Sequence, residues 1–439
     1  MRKLLFLILI LLIFPFFEVC AYGADQNLNI NSKACILIDG QTGQVIYSEN
    51  PNLRLYPAST TKIITAVLAI ENGKMDQPMT ASRAAVNEIG INGSNAGIAA
   101  DETMPLEDLL NVMLIKSAND CANIIAENIS PTRNDFIDLM NKRAKELGAT
   151  DTTFTNTCGL DKSDGHPNHM TTVSDMSKIA RYAMTLPKFR EIVSKQRYTM
   201  PDTNKHPSSY WPKDYIATTN RFLMGFNKYK NDDFTYTGIK TGYTNLAGCN
   251  LIASAKNKDG VELIAVNYGA KEQETLYQDT KRLFEYGFSV YGSKTLVNAG
   301  DVAQQITVAK ADVSEQNLDV QYEQTLKTVL PNDYDLTKVT KNITLRDNIE
   351  APISQGEILG SVEFKKDDLS LGKVNLIASK SVAQKKNPVA SLVPTNNKSV
   401  NIYIKFIVLI ALLYCLHIGF RKYISKILKE KHYRKKVKH

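Results

Sequence analysis

The stretch YPASTTKIITA at residues 56–66 decides how the rest of this chain is interpreted. It places Ser59 three residues before Lys62, so that a hydroxyl and an amine can lie on one face of a helix. Apolar residues follow as far as Ile70 and predict a buried helix that opens at Ser59. A lysine buried in such a helix can lose its proton near neutral pH and act as a base. A serine at a helix start is, taken alone, most often an N-cap.

A second stretch, Ser117-Ala-Asn119, separates two apolar runs that read as helices, residues 106–115 and 121–129. Helix capping is its ordinary interpretation. In an acyl-transfer site, Ser117 would relay a proton from Lys62 to the leaving group, and the Asn119 amide would hold a substrate carbonyl.

A third stretch, Lys240-Thr-Gly242, lies on a β-rich segment, where a lysine is usually a solvated side chain. In the catalytic interpretation Lys240 raises the local positive potential and Thr241 binds a carboxylate. Gly242 allows a substrate backbone to approach closely. The three stretches supply, in chain order, a hydroxyl with an amine, a hydroxyl with an amide, and a basic residue on a strand. This order predicts a serine acyl-transfer site with a lysine base.

The order of predicted elements indicates an α+β fold. Two short strands near residues 34–48 come first, several helices follow as an insertion, and strands return at residues 238–268 before a helix at 273–291. We therefore predict a catalytic domain over residues 28–291, with an antiparallel sheet, flanking helices and a helical insertion. Short alternating runs after it predict a small all-β domain at 292–384.

Both ends of the chain indicate export and membrane attachment. Residues 1–21 have the basic and apolar pattern of a signal peptide, with residue 24 as another cleavage position. A polar linker is predicted at 385–399 and a transmembrane anchor at 400–420, with an interfacial helix as the alternative. The basic tail 421–439 would stay in the cytoplasm and leave the body on the outer side of a bacterial cell membrane.

The charge distribution argues against a nucleic-acid-binding protein. The chain has a formal charge of +8, but residues 421–439 alone carry nine Lys or Arg and one Glu. The remaining body is close to neutral and has no basic surface that would hold DNA or RNA.

Cysteine and histidine usage favours neither a disulfide framework nor a metal site. Four scattered cysteines remain between the two ends (Cys35, Cys121, Cys158 and Cys249), and we expect buried thiols with one incidental bridge possible. His166 and His169 are close in sequence, but no acidic residue stands at a zinc-ligand spacing from them. We therefore expect no metal and no cofactor.

The three stretches, in the forms YPASTTKIITA (56–66), SAND (117–120) and GIKTGYT (238–244), resemble the serine-type D-alanyl-D-alanine carboxypeptidases, the low-molecular-mass penicillin-binding proteins of peptidase family S11. The resemblance spans residues 30–290. The chain departs from it at Ala118, where many relatives have glycine, and in the long polar and aromatic stretch 203–237, which contains the single tryptophan.

The resemblance implies a β-lactamase/transpeptidase-like catalytic fold and removal of the C-terminal D-alanine from peptidoglycan stem pentapeptides. Ser59 would be the acyl-ester nucleophile and Lys62 the base, with Ser117, Asn119, Lys240, Thr241 and Gly242 assisting. The backbone N–H groups of Ser59 and Tyr243 would form the oxyanion hole. β-Lactam antibiotics would inhibit by acylating the serine.

Two other functions compete with this one. A class A β-lactamase would require a glutamate to activate the deacylating water, and residues 159–172 contain none. A catalytically silent cell-wall-binding scaffold would not need the intact set of reactive side chains.

Overall fold

The computed structural model of this chain describes residues 28–90, 93–211, 215–385 and 397–436. The predicted signal peptide, most of the predicted linker and the last three residues of the basic tail lie outside the described residues. All residues of the site discussed below lie in one compact unit, which contains residues 28–301 together with later strands.

The strands in chain order are β1 (Ala34–Asp39), β2 (Val45–Glu49), β3 (Pro78–Thr80), β4 (Thr103–Pro105), β5 (Arg197–Tyr198), β6 (Ile216–Ala217), β7 (Phe234–Thr244), β8 (Gly248–Asn257), β9 (Glu262–Ala270), β10 (Tyr291–Val297), β11 (Val302–Thr307), β12 (Asn317–Tyr322), β13 (Leu326–Pro331), β14 (Thr340–Leu345), β15 (Ile358–Lys366) and β16 (Leu369–Ala378). The α-helices are α1 (Lys62–Asn72), α2 (Arg83–Asn87), α3 (Leu106–Ile115), α4 (Asn119–Ile129), α5 (Arg133–Glu146), α6 (Val173–Ala183), α7 (Pro187–Val193), α8 (Gln273–Val290) and α9 (Asn397–Lys436).

The centre of the fold is a five-stranded sheet in the order β2-β1-β9-β8-β7, and its neighbouring strands are antiparallel. Both faces of the sheet are buried, as the alternation along β1 shows. Ala34, Ile36 and Ile38 belong to one hydrophobic core, whereas Cys35 and Leu37 belong to the other. Because successive side chains of a strand point to opposite faces, one apolar strand contributes to two cores.

Helices cover both faces of this sheet. The chain between β2 and β7 carries α1 to α7, and α1 lies at their centre, with every residue from 62 to 69 buried. A helix that is apolar on all sides requires such surroundings. On the opposite face, α8 contributes Leu276, Leu283 and Phe284 to the second core. The predicted α+β class with a helical insertion is confirmed.

The region after α8 is built from strands, as predicted for a β domain. Antiparallel pairs form between β10 and β13, between β11 and β12, and between β14 and β15. The long helix α9 contains an apolar stretch, Tyr403–Leu428, with a mean hydropathy of 2.1. Its 26 residues are long enough to cross a membrane by length and composition.

Candidate active site

Ser59 lies in a tight 3-10 turn, Ala58–Thr61, directly before α1 begins at Lys62. The serine is partly exposed and lines a cleft of about 470 Å³. Lys62 is fully buried, and its Nζ lies 2.9 Å from Ser59 Oγ. The three-residue spacing therefore places the amine directly beside the hydroxyl, as the sequence predicted.

Two carbonyl groups hold the other side of the Lys62 amine. Nζ donates to Asn119 Oδ1 over 2.6 Å and to the backbone oxygen of Cys158 over 2.7 Å. A neutral amine has two N–H bonds and one lone pair, so these acceptors use both hydrogens and leave the lone pair for the Ser59 hydroxyl. Burial lowers the pKa of Lys62 to about 8. The geometry and the lowered pKa both favour a lysine that accepts a proton from Ser59.

Ser117 and Asn119 form another wall of the cleft. Ser117 has a φ of +69°, an uncommon conformation for a residue with a side chain, and no described residue hydrogen-bonds its hydroxyl. Asn119 begins α4, and its Nδ2 donates to Ile89 O over 2.6 Å. Since Oδ1 accepts from Lys62, the Asn119 side chain holds the Lys62 amine in place as well as lining the cleft.

The edge strand β7 supplies the third wall. Thr241, Gly242 and Tyr243 line the cleft, while Lys240 is buried beneath it with only 1% of its surface exposed. Lys240 Nζ donates to the backbone oxygen of Thr241 over 3.0 Å. Burial, and then the charge of Lys62, lower the pKa of Lys240 well below its usual value.

Two glycines allow the Ser59 turn to pack closely against its neighbours. A Cβ at Gly242 would lie 3.1 Å from Ser59 N and 3.0 Å from Pro57 O. A Cβ at Gly159, which has a φ of +101°, would lie 1.9 Å from Ala58 O. Gly242 therefore brings the edge of β7 against the backbone N–H of Ser59, and the next residue along that edge is Tyr243.

Replacing Gly159 with alanine is expected to destabilise the fold far more than replacing Gly165. Both glycines have positive φ, but a Cβ at Gly165 would meet nothing within 4 Å. Gly165→Ala should cost only the backbone strain, about 1 kcal/mol, while Gly159→Ala adds a steric clash of about 1–3 kcal/mol. Denaturant unfolding of both variants checks this, and equal losses would contradict the packing role of Gly159.

The comparison with known proteins agrees with this geometry. Residues 21–272 match the D-alanyl-D-alanine carboxypeptidase family, peptidase S11. The chain belongs to this family. Residues 291–384 match the C-terminal domain of penicillin-binding protein 5.

Similar proteins cover between 80% and 84% of this chain. D-alanyl-D-alanine carboxypeptidase DacF of Bacillus subtilis is 31% identical over 84% of this chain and 91% of its own length. DacC of Escherichia coli is 27% identical over 84% of this chain and 89% of its own. Penicillin-binding protein 5 of Haemophilus influenzae superposes with a TM-score of 0.61 at 25% identity, covering 82% of this chain and 100% of that structure. PBP3 of Streptococcus pneumoniae shares the fold, with a TM-score of 0.68 at 23% identity over 80% and 99% of the two chains.

The sequence analysis considered His169 as a metal ligand, but in the structure both of its ring nitrogens form hydrogen bonds within the protein. Its Nδ1 accepts from the Thr155 N–H over 2.9 Å, so its Nε2 donates to Thr61 Oγ1 over 2.8 Å. Burial lowers the pKa of His169 to about 3, which keeps the ring neutral. The ring therefore anchors the Ser59 turn from below. Within the described ranges, no group of three His, Cys, Asp or Glu side chains could hold a metal ion.

The cysteines between the two chain ends are free and buried, so the incidental bridge that the sequence left open does not form. The sequence did not reveal that Cys158 accepts a hydrogen bond from Lys62. The acceptor is a backbone carbonyl, which leaves no signal in the side-chain pattern. It also did not foresee that the buried carboxylate of Asp120 accepts the backbone N–H of Ala96 over 2.9 Å. This contact ties the loop that contains Ala96 to the start of α4.

The sequence assigned no role to the stretch 203–237. In the structure this stretch packs against the loop that contains Ala96. Trp211 is buried and its Nε1 donates to Ala96 O over 3.1 Å. The buried carboxylate of Glu102 accepts from His206 Nδ1 over 2.9 Å. Farther along, Thr219 lines the cleft beside Thr241. The stretch therefore supports one wall of the cleft.

Proposed function

We propose that this chain is a serine-type D-Ala-D-Ala carboxypeptidase that removes the C-terminal D-alanine from peptidoglycan stem pentapeptides through an acyl-enzyme on Ser59. The observation that carries the proposal is the 2.9 Å contact between Lys62 Nζ and Ser59 Oγ. Membership of the family supports the substrate class, as does the shared name of the curated relatives. β-Lactam antibiotics would acylate the same serine.

Acylation follows from the arrangement of hydroxyl and amine. The lone pair of Lys62 takes the Ser59 proton as Oγ attacks the carbonyl carbon of the penultimate D-alanine. The charge that develops on the carbonyl oxygen lies near the backbone N–H groups of Ser59 and Tyr243, our proposed oxyanion hole. The C–N bond then breaks, and the departing amine of the terminal D-alanine receives a proton through Ser117.

In deacylation, protons move between the same groups in the opposite direction. Water attacks the ester carbon, Lys62 accepts the water proton, and Ser59 regains its hydrogen as the shortened peptide leaves. Asn119 keeps the amine in place through both steps, and Lys240 and Thr241 hold the carboxyl end of the substrate. These groups and water account for each step of the proposed chemistry.

The competing functions have less support. The loop 159–172 carries no glutamate for a β-lactamase of class A. Its buried carboxylate, Asp161, accepts hydrogen bonds from Ser163 and Thr244. A silent scaffold gives no reason to bury an amine against a serine hydroxyl, because burying an ammonium ion costs free energy.

We further propose that α9 anchors the protein in the bacterial cell membrane, with the catalytic body outside. The apolar stretch Tyr403–Leu428 supports an anchor and overlaps the predicted span 400–420. The nine basic residues after position 420 support retention of the tail on the cytoplasmic side. We keep the predicted domains, 28–291 for catalysis and 292–384 for the β domain, with the family matches as support.

Product analysis tests the proposed activity. The full chain is incubated with a stem pentapeptide ending in D-Ala-D-Ala, and the products are weighed by mass spectrometry. We expect the loss of one alanine residue, none with Ser59→Ala, and normal turnover with Ser174→Ala, which removes a hydroxyl outside the cleft. Alanine release that survives Ser59→Ala refutes the nucleophile, and cleavage of a cross-linked dimer without alanine release refutes the carboxypeptidase activity.

A further inference from the structure

Asp164 is a carboxylate on the wall of the cleft that has no part in the reaction steps described above. Of the described residues that line the cleft, Asp164 is the acidic one, and Lys116, beside Ser117, is the basic one. Lys162 lies two residues before Asp164, but it is exposed and is not among the described residues of the cleft wall. The cleft therefore carries a negative side chain whose role the catalytic chemistry does not explain.

The strand β7 shows which part of a substrate lies near this carboxylate. In the proposed function, Thr241 holds the carboxyl end of the substrate, and the N–H of Tyr243 binds the oxygen of the carbonyl that reacts. Each residue of a strand advances the chain by about 3.3 Å. The part of the peptide that precedes the reacting carbonyl therefore leads past Tyr243 toward Thr244, which marks the acyl side of the cleft.

Thr244 is bonded to the turn that carries Asp164. Its Oγ1 donates to the buried carboxylate of Asp161, which also accepts the backbone N–H of Ser163 over 2.9 Å. The N–H of Asp164 donates to Asp161 O over 3.0 Å. The short 3-10 turn Lys162–Asp164 is thus fixed to the end of β7, so that Asp164 lies at the acyl side.

A second cavity offers space for a substrate side chain at this position. It has a volume of about 800 Å³, and it adjoins the cleft because four residues line both spaces, namely Cys158, Leu160, Ser163 and Asp164. A Cβ at Gly90 would lie 3.2 Å from Asp164 Oδ1, so the glycine leaves room beside the carboxylate. A side chain that enters from the cleft therefore passes Asp164.

The charges around the second cavity favour a cation beside Asp164. Arg133 lines this cavity and pairs with Glu127 over 2.9 Å and with Glu88, so two carboxylates already balance its positive charge. Burial lowers the pKa of His166, so this ring in the cavity wall is neutral at pH 7. The hydrogen bond between an ammonium group and a carboxylate is among the stronger ones in proteins. An ammonium group is therefore the ligand that suits Asp164.

We propose that Asp164 binds the ammonium group of a basic side chain on the residue directly before D-Ala-D-Ala, and that this contact selects peptides with a diamino acid at that position. The alkyl part of the side chain passes Leu160, and the amine meets the carboxylate where the two cavities join. The inference rests on the proposed function, because it names a further feature of the substrate that the same site recognises.

The test compares two peptides that end in D-Ala-D-Ala and differ only in the residue before it, which is lysine in one and norleucine in the other. Norleucine has a side chain of similar length without the amine. We expect the full chain to favour the lysine peptide about tenfold in kcat/KM, as one hydrogen bond between charged groups implies. In Asp164→Asn this ratio should fall to about one, mainly through a lower value for the lysine peptide.

Two further variants separate a direct contact from a general effect of charge. Asp138→Asn removes a carboxylate that is exposed and outside the described walls of both cavities, and it should keep the preference for lysine. Asp164→Lys reverses the charge at the proposed contact. It should favour a peptide with glutamate at the variable position over the lysine peptide, because opposite charges attract.

A lysine preference that survives Asp164→Asn would overturn the inference, as would its absence from the wild type or an equal loss on both peptides. None of these results would touch the proposed function, which fails only if alanine release does not depend on Ser59. If Asp164→Asn does not fold, the wild type is assayed on both peptides between about 0.05 M and about 1 M salt. The lysine preference should shrink as salt screens the charge pair, and a preference that stays constant over this range would contradict the contact.

Discussion

Replacing Lys62 with methionine is expected to lower the rate of Ser59 acylation by about 10²–10⁴-fold, the usual contribution of a general base. The amine lies 2.9 Å from Ser59 Oγ, and methionine fills a similar volume without a lone pair of comparable basicity. At pH 7, a lysine with a pKa of about 8 is neutral in about one molecule in ten, against about one in three thousand for an exposed lysine. The base is therefore available in the folded protein and removed by the substitution.

The same substitution should change how stability depends on pH. Burial lowers the folded-state pKa of Lys62 from 10.5 to about 8, so the folded protein binds fewer protons than the unfolded chain between these values. Stability of the wild type should accordingly rise with pH across this window, by an amount on the order of 3 kcal/mol. The Lys62→Met protein lacks that rise, so its free energy of unfolding falls behind the wild type as the pH increases.

Lys74→Met serves as the matched control, since Lys74 is exposed just past the end of α1. It should keep both the acylation rate and the wild-type pH dependence of unfolding. Two results would contradict the account: acylation by Lys62→Met within tenfold of the wild type, or a stability difference between wild type and Lys62→Met that is the same at pH 7 and pH 10.

The nucleophile and its base could be predicted from the sequence because a three-residue spacing on a helix fixes which side chains meet. The turn Ala58–Thr61 and the start of α1 at Lys62 are local structures. Local periodicity also predicted α3, α4 and α8 to within two residues of their observed ends. The strands of the central sheet could be predicted as strands, but their order joins segments more than 200 residues apart.

The remaining parts of the site depend on contacts that sequence patterns do not encode. The third partner of Lys62 is the carbonyl of Cys158, and every residue has a carbonyl. The role of Gly159 could not be predicted either, because its close approach to Ala58 is seen only in the packed structure. Thr219 lies in a stretch without a motif, and its hydroxyl contact with Thr241 joins two segments that no local pattern pairs.

The central claim is that an amine with a lowered pKa lies beside the Ser59 hydroxyl and takes its proton. The most direct test is the rate constant for acylation by penicillin, measured between about pH 6 and pH 10. A base must be unprotonated to act, so the rate should rise about tenfold per pH unit and become level above the pKa of Lys62, about 8.

Because Lys240 is also buried, the same series is measured on Lys240→Gln to assign the titrating group. The account predicts that the level region still begins near pH 8 in this variant, although at lower absolute rates. A rate that does not change between pH 6 and pH 8, one that keeps rising beyond pH 10, or a break that disappears with Lys240 would contradict it.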